Sequence, residues 1–459
     1  MRGEGRPGKP AGAQATCGTV AVHCRGGADR PAHMLDRLRR LHPFQTPDAQ
    51  RLAILFAVVY FAQGMWSLPN QTLTITLKER GLSAGQVATF FSFSIIPWLI
   101  KPAYGLLSDC VPLFGRRRKS YLLLTSSLAA GAGLAMGLAA PHSYWWLVGL
   151  ITVMGLGLAF TDVLVDALMV ENGKSRGLTG AFQAVQWAAI YTAAVLVGVL
   201  GGFLAERRSL SAAFTLAALF PLISFSLTLF VVHDPPARAD RKAFRQTMVA
   251  IREAVGGRDL WIVAGFIFFW TFSPSFGPAL LYYQTDVLEF SQQFIGHLGA
   301  LGSLAAVAGA LIYAPLSRRV PLKRLINVSI GAGVAGLLAY LLYRDAWSAV
   351  VIDVVFGCVG MITQLAFLDL AAKACPRRVE ATFFALLMSV FNAGNQSSQV
   401  AGGHLYDWLG YTALVLISAA FTAVGWFLVP LVKIDRIEAK AQGGDRRGST
   451  SFARMSRPR

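Results

Sequence analysis

Charged residues are scarce in this 459-residue chain: Asp, Glu, Lys and Arg make up 14% of it, against 54% hydrophobic residues. A soluble chain of this length needs more polar groups to cover its surface. With a mean hydropathy of +0.51, a soluble globular protein is excluded and a polytopic membrane protein is indicated. Cysteine is also sparse: Cys17, Cys24, Cys110, Cys358 and Cys375 show no metal-ligand spacing, and an odd number cannot complete a disulfide framework. No phosphate-cradling Gly-Lys-Ser/Thr loop for ATP hydrolysis and no Cys/His metal pattern occur. No cofactor, metal or enzymatic chemistry is therefore expected, and His297 and His404 read as structural. Acidic residues number 24 against 42 Lys and Arg, a net charge of +18. These cations fall in short loops between apolar runs, where membrane orientation explains them, so nucleic-acid binding is not expected.

What the chain has in abundance is long apolar segments. A helix needs about 20 such residues to cross the hydrocarbon core, and twelve segments qualify, at roughly 52–77, 84–108, 120–140, 144–170, 178–205, 211–232, 260–285, 292–316, 322–343, 347–373, 379–405 and 411–432. The polar stretch HDPPARADRKAFRQTMVAIREAVGGRD separates the sixth from the seventh. The expected organisation is a basic tail over 1–50, a six-helix half over 51–232, a linker over 233–259, a second half over 260–432 and a tail over 433–459.

Loop charge predicts orientation. The even-numbered loops carry nineteen Lys and Arg, whereas the odd-numbered loops carry Lys78, Arg80, Arg207, Arg208 and Arg344. Basic loops stay in the cytoplasm, so both termini are expected there. The halves also read as diverged copies: Pro69, Ser83 and Ser108-Asp109 are echoed by Pro278, Ser291 and Ser317-Arg318, and Asp166 leads to GGFL at Gly201 as Asp369 leads to GGHL at Gly402. An all-α membrane protein with twelve transmembrane helices in two six-helix pseudo-repeats, the major facilitator architecture, is predicted. Residues 1–33 lack an apolar core of signal-peptide length. They read as a disordered tail or as the product of an upstream start, with Met34 opening the basic segment; a transit peptide is an alternative that the scarcity of serine disfavours.

Three groups of residues are candidates for function. The first is a cytoplasmic gate: Gly105 to allow close helix approach, Asp109 at the end of the second span, and Arg116, Arg117, Arg118 and Lys119 capping the third, although such a cluster also follows from topology alone. The second is intramembrane charge, which is costly and faces polar cavities. Asp162 and Asp166 lie one turn apart on the fourth span, where either could pair with a cation, bind a positive substrate group or carry a proton. Lys101 lies too deep to reach water easily and needs an anion, either a protein carboxylate such as Asp162 or Asp166 or an anionic substrate. Asp369 and Lys373, four apart on the tenth span, read as a structural ion pair, and Asp353 near the opposite end reads as meeting water. The third is a polar and aromatic lining: Gln63, Trp66 and Asn70, Gln183, Gln186 and Trp187, and Asn392, Asn395, Gln396 and Gln399. Amides facing lipid would lack partners. These groups suit a planar heteroaromatic ligand, or else they join helices. Pro274, Gly277 and Pro278 interrupt the seventh span, as in helices that line transport sites; Tyr282, Tyr283 and Gln284 beyond them form an outer gate or an aromatic belt.

The ordered motifs PWLIKPAYGLLSDCVPLFGRRRKSYLLL, TDVLVDALMVE, FQAVQW, YYQTDVLEFSQQFIGHLG and CPRRVEATFFALLMSVFNAGNQ give residues 52–432 a resemblance to the folate-biopterin transporter family of the major facilitator superfamily. The resemblance implies transport of pterins, folates or related metabolites, with proton coupling in some members, and places Lys101, Asp109, Arg117, Asp166 and Glu380 on positions where charge matters for transport or gating. The DxxxDAxxVE segment is also similar to the muropeptide and acetyl-CoA permease branch, the alternative for cargo, and a non-transporting assembly factor or sensor is the alternative in kind. Substrate/ion-binding residues are expected among Lys101, Asp162, Asp166, Gln63, Trp66, Gln186, Trp187, Asn392 and Gln396, with a small molecule, the lipid bilayer and protons as partners. A monomer in a bacterial inner membrane is expected, with a plastid membrane as the alternative.

Overall fold

The computed structural model describes residues 44–139, 143–176, 178–232, 256–375 and 380–437, with scattered positions between 234 and 252. The two expected tails, but for their inner ends, and most of the expected linker lie outside the described residues. Within them the elements are helical: α1 (Pro47–Gly64), α2 (Asn70–Glu79), α3 (Ala84–Leu99), α4 (Lys101–Cys110), α5 (Lys119–Leu138), α6 (Tyr144–Arg176), α7 (Thr179–Glu206), α8 (Leu210–Val231), α9 (Arg258–Thr271), α10 (Gly277–Asp286), α11 (Gln292–Arg319), α12 (Leu322–Ala339), α13 (Ala346–Ala374) and α14 (Glu380–Leu428).

Among the described residues ten helical stretches are long and apolar enough to cross a membrane, and dividing the fifty-residue stretch Phe383–Val432 in two and joining α9 with α10 gives the twelve expected. α5, α6, α7, α8, α11, α12 and α13 each make one, whereas the first, second and seventh crossings are helix pairs, α1–α2, α3–α4 and α9–α10. Proline explains the breaks, because it removes a backbone donor and clashes with the preceding turn. Pro69 stands between α1 and α2, Pro97 and Pro102 flank the break at Ile100, and Pro274 lies in the gap before α10. The eleventh and twelfth crossings run on as α14, bent at Gly410, whose φ of 79° suits glycine.

Helix starts are set by local chemistry. Thr46 caps α1 by accepting from Ala49 N at 3.2 Å, so that helix begins four residues before the expected start of the half. Ser83 caps α3 and exchanges a capping box with Gln86; Ser291 caps α11 through Phe294 N at 3.2 Å. Asp345 caps α13, and the bonds from Ser348 hold its carboxyl below the usual carboxylate range.

The most extensive packing between the halves is α7 against α11 and α3 against α14. The first is glycine-mediated, since a Cβ on Gly296 would stand 2.2 Å from the Gly198 carbonyl oxygen. The apolar core of the first half continues into the second at the odd-loop end, where Ala279, Tyr282 and Leu414 join the cluster of Met65, Leu73, Phe90 and Met136.

Gly296→Val is expected to destabilise the protein by about 1–3 kcal/mol through overpacking, measured as a lowered unfolding midpoint in detergent. Gly299→Val, where a Cβ meets nothing within 4 Å, should leave the midpoint unchanged.

Candidate functional site

The two carboxylates of α6 meet side chains from three other elements. Asp162 is 4% exposed; its Oδ2 lies 2.5 Å from Lys101 Nζ and its Oδ1 accepts from Gln63 Nε2 at 2.8 Å. One turn along, Asp166 accepts from Gln186 Nε2 at 3.3 Å and from the Tyr60 hydroxyl. Lys101 also sits over the Trp98 ring, 4.6 Å from its centroid. The break at Ile100 makes Lys101 the first residue of α4, where the helix dipole disfavours a cation, so the ammonium there depends on Asp162. Of the two anions the sequence leaves open for Lys101, the geometry supplies the protein's own. Among these described groups, two carboxylates face one ammonium, and with both ionised the cluster carries one net negative charge.

The aromatic and amide lining is divided. Trp66 packs on Trp98 with ring centroids 6.2 Å apart. Trp187, 38% exposed, stacks with Tyr191 at 6.1 Å, leaving part of its indole uncovered. Gln396 Nε2 donates to the Ala88 carbonyl of α3 at 3.3 Å, a tie between the halves, while Asn392 is half-buried one turn away on α14. In the second half Lys373 Nζ lies 2.8 Å from Asp369 Oδ2, with the Tyr313 hydroxyl 3.4 Å from the same oxygen.

At the even-loop end the arrangement departs from expectation in two ways. A Cβ on Gly105 would meet Val163 at 3.6 Å, ordinary contact, so close helix approach does not require a glycine there. Nor do the cations cap α5 through their side chains: Arg118 stands at its N-cap position without a side-chain cap bond. The first turn of α5 presents backbone N–H groups, which call for an anion, and Asp234 provides it, accepting from Arg118 N at 2.7 Å and Lys119 N at 3.0 Å. Arg118 is buried, donating to Ser108 Oγ at 2.7 Å and Glu171 Oε1 at 2.8 Å. Lys119 Nζ donates to the Leu229 carbonyl at 2.7 Å, and Arg116 and Arg117 are exposed. The side chains of Asp109 and Glu380 lie outside the described residues.

Two further expectations are corrected near the odd-loop end. Asp353 is not left to water: Tyr343 and Tyr340 hydroxyls donate to it at 2.9 and 3.2 Å. Tyr282 and Gln284 are buried, so they form no interfacial belt; Tyr282 donates to the Leu82 carbonyl at 2.5 Å and Gln284 to the Tyr343 hydroxyl at 2.6 Å. Tyr60, Glu171 and Asp234 were missed by sequence reasoning. Glu171 closes the DxxxDAxxVE segment, five residues beyond Asp166, a spacing that could have marked it.

A model of the BT1 family matches residues 63–429. A folate-biopterin transporter of Synechocystis sp. (strain ATCC 27184 / PCC 6803 / Kazusa) is 32% identical over 381 residues, covering 80% of this chain and 76% of that one. A probable folate-biopterin transporter 4 of Arabidopsis thaliana is 26% identical, covering 78% and 89%. Among solved structures, the nucleoside transporter NupG superposes with a TM-score of 0.63 at 16% identity, covering 84% of this chain and 98% of its own. The inward-open xylose transporter XylE from E. coli gives 0.62 at 14%, covering 85% and 99%. These likenesses establish the major facilitator fold, and the family match favours one of the two branches similar to the DxxxDAxxVE segment.

Removing Lys101 strands a buried carboxylate. Lys101→Met is expected to destabilise the protein by about 3–5 kcal/mol, and Lys101→Met with Asp162→Asn to regain most of that, as read by unfolding midpoints in detergent. Gly105→Ala should leave the midpoint unchanged.

Proposed function

The chain belongs to the BT1 family, and from that membership and the buried charge cluster we propose that it is a secondary transporter of folate, biopterin or a related pterin-like metabolite, driven by protons. The observation that carries the proton-coupled reading is the excess carboxylate among Asp162, Asp166 and Lys101. With Lys101 held by Asp162, ionised Asp166 leaves the cluster negative and repels an anionic cargo. A proton on Asp166 neutralises it. Proton and anion then favour each other's binding, the thermodynamic requirement for symport.

The lining fits such a cargo. The uncovered part of Trp187 offers a stacking surface for a planar ring, and Gln186 and Asn392 offer amides to its edges. Lys101 can turn from Asp162 toward a substrate carboxylate, with Gln63 still donating to Asp162. Transport would proceed by rocking of the halves 51–232 and 260–432, joined through 233–259, about this site. In the orientation read from loop charge the even-numbered loops and both termini face the cytoplasm. Arg118, Glu171 and Asp234 then stand at the inner gate, to which the family resemblance also assigns Asp109 and Glu380. The bacterial inner membrane and a monomeric unit complete the reading.

Uptake of labelled folate and biopterin into proteoliposomes with and without an imposed pH gradient tests it. Saturable accumulation that collapses with the gradient is expected, and Asp166→Asn should abolish accumulation while preserving counterflow exchange. Unchanged accumulation by Asp166→Asn would remove that residue from proton coupling, and failure of both compounds to enter or compete would remove the cargo assignment.

A further inference from the structure

Polar ties across the halves at the odd-loop end include two that are related by the internal repeat. Asp407, at the end of GGHLYD on α14, lays its carboxylate on the first turn of α3: Oδ2 accepts from Ser83 Oγ at 2.6 Å and Gly85 N at 2.9 Å, and Oδ1 from Ala84 N at 3.1 Å. Glu206, at the end of GGFLAE on α7, does the same to α11, with Oε2 accepting from Gln293 N at 3.2 Å. The correspondence holds residue by residue. Each carboxylate stands five positions after the first glycine of its motif, and each reaches the N–H two positions after the serine that caps the partner helix, Ser83 in one case and Ser291 in the other.

Each contact joins one half to the other, and each uses the same physics. The N–H groups of a helix's first turn have no partner within the helix, and the dipole there favours an anion. A side chain from the opposite half supplies one. We infer that Asp407 and Glu206 are a pair of pseudo-symmetric latches that hold the odd-loop end of the transport pathway shut, and that both must release before that end opens. The inference rests on the alternating-access reading above.

The surroundings support this role. Lys78 of α2 pairs with Asp286 of α10, Tyr282 reaches the Leu82 carbonyl, and Gln71 Nε2 donates to the Gln292 carbonyl at 2.8 Å, all between halves at the same end. These ties differ in chemistry from one another, whereas the two carboxylate contacts repeat. His404 lies one turn before Asp407, with Nδ1 3.9 Å from its Oδ2. Gly85 and Gly403 bring the backbones of α3 and α14 together beneath the first latch, since a Cβ on Gly403 would lie 2.8 Å from Gly85 Cα. The latches are unequal: Asp407 accepts three bonds and Glu206 one, so the α3–α14 side should be the tighter.

Double electron–electron resonance on the full chain tests the inference without needing a cargo. With the five native cysteines replaced, spin labels at Leu138 and Trp347, both 77% exposed, report the separation of the halves at the odd-loop end. Asp407→Asn with Glu206→Gln should raise the long-distance population by roughly fivefold or more. Each single variant should give a smaller rise, Asp407→Asn the larger, and Asp407→Glu should restore most of the short distance. A double variant with the wild-type distance distribution would overturn the latches while leaving the transport reading intact. Ser83→Ala, which removes one bond and keeps both carboxylates, covers the case of a double variant that does not fold: it should shift the distances the same way, and no shift would also overturn the inference.

Discussion

A charge inside a bilayer must be matched, and that constraint organises the interior of this protein. On insertion scales a bare Asp or Lys at a helix centre costs roughly 2.5–3.5 kcal/mol. Asp162, Asp166 and Lys101 are kept there together, and the neighbouring architecture serves them. The proline-flanked break at Ile100 places Lys101 at the start of a new helix, facing α6. Gln63 and Tyr60, one turn apart on α1, supply donors to the two carboxylates in turn. In the proposed mechanism the single uncompensated charge is where the proton binds.

The two halves handle intramembrane charge differently. The first spreads its cluster over α1, α4, α6 and α7, where movement of any one helix changes the balance. The second closes Asp369 on Lys373 within α13 itself, a pair that survives rigid-body movement of its half. In the proposed mechanism coupling is therefore concentrated on the first half, while the repeat is preserved at the carboxylate-to-helix ties of Asp407 and Glu206. Broken crossings lie in the first, second and seventh positions, next to the cluster and to the odd-loop closure.

Much of this was legible in the sequence. Apolar runs located the crossings to within a few residues, because bilayer thickness dictates their length, and the break at Pro274 was expected from the chemistry of proline, whereas the break at Ile100 was not. The spacing of Asp162 and Asp166 placed them on one face. What stayed hidden depends on a partner distant in sequence. Tyr60 looks like any aromatic residue of an apolar helix until Asp166 is placed beside it. Asp234 lies at the edge of a basic linker, and Asp407 and Glu206 lie at helix ends where carboxylates ordinarily meet water. Gly105 misled in the opposite direction, since a glycine in a motif suggests crowding that Val163 at 3.6 Å does not impose.

The central claim is that one proton and one cargo molecule bind together at the Asp162, Asp166 and Lys101 cluster. Its most direct measurement is proton uptake by the purified, weakly buffered protein when folate, the cargo that carries carboxylates, is added. The account predicts about one proton taken up per molecule bound, and none for Asp166→Asn despite retained binding. Binding to the unaltered protein with no proton uptake across the neutral pH range would contradict it.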